Sequence, residues 1–248
     1  MENFVLRAAD RGYDKLISTG GNASYVAGHP DAFITRHSSF NFGDYQSGRA
    51  GFGKMRVFGD ETFSHAGCGY NMHPHHDFII MAFVLGGSLT HVNTIGKIDT
   101  LKAGDYYVFS AGSGGKHAEL NIEPEDMHVV YVWVLPNALL LPPSYKRNHF
   151  DATAGRNKVA TLVGKGDGAL PIDQDLKISR LNSDKPAAFE YKPSSTGHGV
   201  YAFVFEGSLK WGDVDLGRRD SAGIWATDKI DFHTGKEKTD VLFVETLM

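Results

Sequence analysis

Apolar positions in this chain come in short runs rather than in a helical period. Phe78-Ile79-Ile80-Met81-Ala82-Phe83-Val84-Leu85 ends at Gly86-Gly87, and Ser88 to Val92 closes on the turn Asn93-Thr94-Ile95-Gly96. Ile98 to Leu101, Tyr106 to Phe109, Lys116 to Ile122 and Met127 to Leu135 continue the series. They are separated by Lys102-Ala103-Gly104-Asp105, by Gly112-Ser113-Gly114-Gly115 and by Glu123-Pro124-Glu125-Asp126. Short runs bounded by glycine and proline at such regular spacing predict strands of an antiparallel barrel or sandwich. Val5 to Ser18 is a weak helical candidate without a clear amphipathic face.

The strand pattern repeats. Ala82-Phe83-Val84-Leu85-Gly86-Gly87-Ser88-Leu89 matches Ala202-Phe203-Val204-Phe205-Glu206-Gly207-Ser208-Leu209 at an offset of 120, with six of eight residues identical. Leu101 to Asp105 matches Leu216 to Asp220 at 115, and Val130-Tyr131-Val132 matches Leu242-Phe243-Val244 at 112. A β-unit duplicated in this way predicts an all-β chain of two antiparallel barrels. The barrels are expected at residues 1–140 and 141–248, with Pro136 to Ala160 as the crossover.

Composition narrows the classes. A chain of 248 residues with 42% hydrophobic positions buries a core without staples. Its 29 glycines suit many tight turns, and a net charge of -4 weighs against a general nucleic-acid binder. Cys68 stands alone, so neither an internal disulfide nor a cysteine zinc knuckle can form. The start of the chain shows no apolar signal-peptide segment. The longest apolar run, Tyr131 to Leu141, is broken by Pro136 and Asn137 and is too short to span a bilayer. A cytoplasmic protein with no membrane or direct nucleic-acid partner is expected, and a monomer.

Seven of the twelve histidines fall between His65 and His128. His73-Pro74-His75 puts two imidazoles on one face of a strand, because side chains at i and i+2 share a face. His117-Ala118-Glu119 repeats the geometry with one imidazole and one carboxylate. His73, His75, His117 and Glu119 together make a ligand set for one divalent first-row ion: Fe, Mn, Ni, Cu or Zn. With one carboxylate the site would keep a charge of about +1, favouring an anionic oxygen ligand. His76 and Asp77 are expected at the rim, His65, His91 and His128 at the surface or in packing, and Cys68 in packing.

These segments resemble a known family. Gly67, His73, His75 and Gly86 fall at the spacings of the first cupin motif, with Ile79 where that motif carries glutamate. Gly104-Asp105, then Ser110-Ala111-Gly112 to His117-Ala118-Glu119, is similar to the second motif of the pirin family, and Phe40-Asn41-Phe42-Gly43-Asp44-Tyr45 is similar to a pirin entry segment. The resemblance covers residues 30–137. It implies a bicupin of jelly-roll barrels with the metal, Fe(2+) first among the candidates, in the N-terminal one. Glu119 would be both ligand and catalytic proton acceptor. It also implies that Ile79 removes a carboxylate with the parity to face the metal.

In the second barrel the repeat places Pro193 and Ser195 at the positions of His73 and His75, and Phe232 and Thr234 near those of His117 and Glu119. No metal is expected there. The leading functional expectation is an O₂-using dioxygenase of a flavonol such as quercetin, with Phe40, Phe42, Phe83, Phe109 and Trp133 as candidate pocket walls. The alternative is a non-enzymatic regulator that docks on a transcription factor or metabolic enzyme through a metal-dependent surface. A third reading, a cupin isomerase or small-acid dioxygenase, would need charged substrate clamps, and no arginine pair is evident.

Overall fold

The computed structural model describes residues 1–19, 26–64 and 67–248. His65 lies outside the described residues. Two compact units emerge. The first comprises Gly12–Ala50 and Met55–Phe150; the second comprises Met1–Arg11, Gly51–Lys54 and Asp151–Met248.

The chain opens with β1 (Glu2–Leu6), which belongs to the second unit. The first unit then carries β2 (Gly12–Ile17), β3 (Val26–Ala27), β4 (Phe33–Ser38), β5 (Met55–Phe63), β6 (Cys68–His75) and β7 (Ile79–Gly86). It continues with β8 (Ser88–Asn93), β9 (Ile98–Lys102), β10 (Asp105–Ser110), β11 (Gly115–Asn121), β12 (Met127–Val134) and β13 (Ser144–His149). The second unit adds β14 (Val159–Val163), β15 (Leu176–Ser183), β16 (Ala188–Tyr191), β17 (His198–Glu206), β18 (Leu209–Trp211), β19 (Val214–Leu216), β20 (Ser221–Trp225), β21 (Ile230–Thr234) and β22 (Thr239–Leu247).

The apolar runs from Phe78 to Leu135 fall on β7 to β12 nearly to the residue. The helical reading of Val5 to Ser18 is overturned. That stretch is the end of β1, a single 3₁₀ turn at Ala8–Asp10, and β2. Each strand there finds a sheet partner, β20 for β1 and β4 for β2, and pairing outweighs a helical pattern that had no apolar stripe.

In the first unit, a sheet ordered β13-β10-β7-β12-β5-β4-β2 faces one ordered β3-β6-β11-β8-β9. Interior side chains of both build one core, among them Ile80, Ala82 and Val84 of β7, Leu89 of β8, and Met127 and Val129 of β12. The second unit repeats the plan with β1-β20-β17-β22-β15-β14 and β16-β21-β18-β19, around Val200, Ala202, Val204, Val241 and Phe243. The sheets of each unit remain separate, so these are jelly-roll sandwiches rather than closed hydrogen-bonded barrels.

The ladders confirm the duplication. Phe83 pairs with Val130, Tyr106 pairs with Phe83, and Leu89 pairs with Leu101. Their counterparts Phe203 and Leu242, Phe203 and Ser221, and Leu209 and Leu216 pair in the same way. Within the expected crossover, β13 adds an edge strand to the first unit by pairing with β10, and β1 fills the matching edge position beside β20. Among the described residues no helix is long and apolar enough to cross a membrane.

Candidate metal centre

β6 and β11 are neighbours, and His73 sits directly opposite His117. The pairing slips between His117 and Glu119: the next partner of β11 is Tyr70, three residues back along β6. One extra β6 residue is therefore bulged out, at Asn71–Met72. That bulge shifts strand parity. Cys68 and Tyr70 face the core before it, and His73 and His75 face the same interior after it. Without the bulge both imidazoles would point outward.

On β11, the glycines preceding His117 permit a tight approach. A Cβ on Gly112 (φ +50) would lie 1.9 Å from the Leu141 carbonyl oxygen, and one on Gly115 would lie 2.8 Å from the Phe109 ring. Phe109 stacks on the His117 imidazole at 5.0 Å and 27°.

The rings of His73, His75 and His117 converge, with centroids 4.9, 4.5 and 4.9 Å apart. A ligand nitrogen from each lies within 4.8 Å of the others. His73 Nδ1–H donates to the Asn71 carbonyl (2.7 Å), which leaves its Nε2 as the lone-pair nitrogen. His75 Nε2 and His117 Nε2 are buried without a hydrogen-bond partner. Buried orphaned nitrogens carry a desolvation cost that a bound cation removes. Burial pushes His75 down to about 4, with His73 adding to the effect; it also holds His73 and His117 below the usual histidine range. All three are therefore neutral at pH 7, the form that ligates a metal.

Glu119 stands beside the group rather than inside it. Its Oε2 is 3.8 Å from His117 Nε2, and Tyr107 donates to its Oε1. Burial pushes its carboxyl up to about 8, the hydroxyls of Tyr107 and Tyr131 and the Arg36 charge draw it down, and the Glu61 charge adds to the rise. The structure brings His73, His75 and His117 together and sets Glu119 at their edge.

Several residues reached the site without a sequence signal. His91, expected at the surface or in packing, is fully buried; its Nε2 meets His117 Nδ1 at 3.1 Å and its ring stacks on Tyr145 at 4.8 Å. It directs His117 Nε2 toward the other imidazoles. Arg36 of β4 binds Glu61 (2.7 Å) and Tyr70 (2.6 Å) in the wall of the same cavity. That cavity, about 530 Å³, is lined by His73, His75 and Glu119 and by Phe42, Tyr131 and Trp133. Trp133 meets His75 edge-on at 4.8 Å. Of the five candidate aromatics, Phe42 and Trp133 line it and Phe40, Phe83 and Phe109 do not.

Three expectations are corrected. Ile79 does not face the site: the core-facing positions of β7 are Ile80, Ala82 and Val84, and Ile79 lies on the opposite face. The link at His76 to Phe78, with Asp77 at φ 60, resets the parity that would have carried His75 to Ile79. The site is also more acidic than the four-ligand set implied, because Asp14, Asp44 and Glu61 share its walls. Finally, the second unit is displaced by two residues from the repeat alignment. Leu120 pairs with Thr90 and Thr234 with Leu209, so His117 and Glu119 correspond to Ile230 and Phe232. Tyr191, paired with Ile230, then matches His73, and Pro193 matches His75. Tyr191, Ile230 and Phe232 belong to the apolar core there.

His76, His128 and Cys68 stand apart from the three imidazoles. His76 is exposed and bonds Asp77, which in turn accepts from the Leu140 amide. His128 is a surface residue bonded to Thr62. Cys68 is buried in the core.

Two jelly-roll units, one with a trio of neutral imidazoles converging beside a cavity that two of them line, define a bicupin with a candidate metal site. Residues 23–134 match the family described as Pirin, and residues 163–246 match the family described as Quercetinase C-terminal cupin domain. Quercetin 2,3-dioxygenase of Escherichia coli (strain K12) is 29% identical over 209 residues, covering 83% of this chain and 88% of that protein. A pirin-like protein of Caulobacter vibrioides is 30% identical over 205 residues, 80% of this chain and 87% of its own. Among solved structures, YhhW from Escherichia coli overlays with a TM-score of 0.86 at 24% identity, covering 99% of this chain and 97% of that one. Bacterial pirin YhhW in complex with nickel(II) gives 0.85, covering 99% of each chain at the same identity. The chain belongs to the pirin family. The match at residues 163–246 also places a recognised cupin domain where the sequence offered only the internal repeat.

Proposed function

We propose that this chain is a metal-dependent dioxygenase of a flavonol such as quercetin, using O₂. The observation that carries the reading is the convergence of three neutral imidazoles, two with orphaned buried Nε2 atoms, beside a cavity of about 530 Å³ that His73 and His75 line. A cavity of that size with aromatic sides suits a planar ring system. The relatives named quercetin 2,3-dioxygenase support the substrate class, and the nickel-bound YhhW supports a divalent ion.

In this reading His73, His75 and His117 hold the ion, with Glu119 completing the set from beside His117. Fe(2+) is the proposed metal. When bound, the ion supplies Lewis acidity and a template for substrate and O₂. Phe42 and Trp133 orient the aromatic rings and exclude water. Glu119, whose Oε1 is held by Tyr107, accepts the proton of the bound hydroxyl at its Oε2.

The test is O₂ uptake and loss of the flavonol absorption band after reconstitution with iron. Activity that depends on iron and is absent from His75→Ala is expected. Fully metallated protein that consumes no O₂ with any member of a broad polyphenol panel would overturn the proposal.

A further inference from the structure

Arg36 is the single Lys or Arg among the residues described as lining the cavity, and it is boxed in by acids. The ladders set Asp14 of β2 and Glu61 of β5 directly across from it on either side. The row therefore reads minus, plus, minus. Glu61 takes Nε at 2.7 Å, and Tyr70 accepts from Nη2 at 2.6 Å while donating to the other Glu61 oxygen at 2.8 Å. The guanidinium lies over the Phe42 ring at 4.3 Å. Among the described residues nothing accepts from Nη1.

These contacts fix which chemistry Arg36 can receive. Its charge is already matched by Glu61 and exceeded once Asp14 is counted, and Asp44 adds a further acid to the wall. A ligand carboxylate placed here would lose hydration and meet more negative than positive charge. An uncharged hydroxyl or carbonyl oxygen accepts the Nη1–H without that penalty. Tyr70, which holds Arg36, has its ring 6.0 Å from that of His73, so one planar molecule spans both regions.

We infer that Arg36 is a specificity-determining residue: through Nη1 it hydrogen-bonds an uncharged oxygen on the catechol ring of the aromatic ligand, and the acidic row around it rejects carboxylated aromatics. The inference rests on the flavonol reading above.

Binding rather than turnover tests it, by titration calorimetry on metal-loaded protein. The probes are quercetin, galangin, which lacks the catechol-ring hydroxyls, and a galangin analogue with a carboxylate on that ring. Wild type is expected to bind quercetin about tenfold tighter than galangin, the effect of one well-placed hydrogen bond. The carboxylated analogue is expected to bind more weakly than galangin. In Arg36→Met/Glu61→Gln the quercetin preference falls to about one, with galangin affinity unchanged. Arg36→Lys, which keeps the charge and removes the fork, loses the preference too. Asp14→Asn strengthens binding of the carboxylated analogue several-fold at low salt, and high salt erases the gain.

A quercetin preference that survives both Arg36 substitutions overturns the inference, as does a carboxylated analogue that binds wild type as tightly as galangin. If all three probes bind wild type equally, the inference fails and the flavonol reading stands. If none binds, both fail.

Discussion

Replacing Glu61 with Gln removes one charge from a buried pair and leaves its shape. The Arg36 and Glu61 side chains are 12% and 3% exposed, and Nε to Oε1 is 2.7 Å. Burial alone would lower the Arg36 pKa; the charge and hydrogen bond of Glu61, with Tyr70 and Asp14, together outweigh it and raise the pKa. With glutamine in place, the guanidinium stays charged but loses its buried, hydrogen-bonded counter-charge and keeps only Asp14 across the ladder. Breaking a buried pair from one side costs about 3–5 kcal/mol. Here the glutamine oxygen still accepts one hydrogen bond and Asp14 still sits across the ladder, so the low end, about 3 kcal/mol, applies. At about 2–4 °C per kcal/mol for a chain of this size, the melting temperature should fall by about 6–12 °C. With two compact units, calorimetry should show the shift confined to the transition of the unit that contains β4 and β5. Arg36→Met/Glu61→Gln removes both charges and should recover to within about 1 kcal/mol of wild type. A Glu61→Gln protein that melts with wild type would refute the argument. So would a double variant as unstable as the single.

Iron-reconstituted wild type should retain one ion per chain by elemental analysis, and His75→Ala should retain none; two tightly held ions per wild-type chain would count against the site assignment. His91→Phe keeps a ring to stack on Tyr145 and removes the partner of His117 Nδ1, so competition with a chelator should show metal affinity reduced about 10–100-fold in a folded protein. Glu119, pushed up to about 8 by burial, holds its proton at neutral pH without metal and gives it up as a ligand. Calorimetry in buffers of different ionisation enthalpy should therefore record release of about one proton per ion near pH 7 and a small fraction near pH 9, where the carboxylate is already ionised. A proton count that does not change with pH, or one unaltered in Glu119→Gln, would contradict this.

The strands were legible in the sequence because strand and turn are local properties. Apolar runs such as Ile79 to Leu85 and Met127 to Val134 form strands buried at nearly every position, and the glycines between runs permit the turns. The repeat was legible because two copies that fold alike keep the same buried positions, and the ladders show Phe83 and Phe203 in matching pairs. The convergence of His73, His75 and His117 was legible because side chains at i and i+2 share a strand face. What tertiary structure alone decided depends on non-local pairing. The extra residue at Asn71–Met72 shows only against β11, yet it turns both imidazoles inward. Arg36, Glu61 and Tyr70 are scattered along the chain and become one network only because β4, β5 and β6 bring them to one wall. His91 looked like a lone histidine until β8 paired with β11 and set it behind His117. Parity failed for Ile79, and alignment by offset failed for the second unit, because connections between strands are not set by the strand pattern. The first assumes an uninterrupted two-residue period and the second a constant offset, and a bulge, link or loop of different length breaks either without any mark in composition.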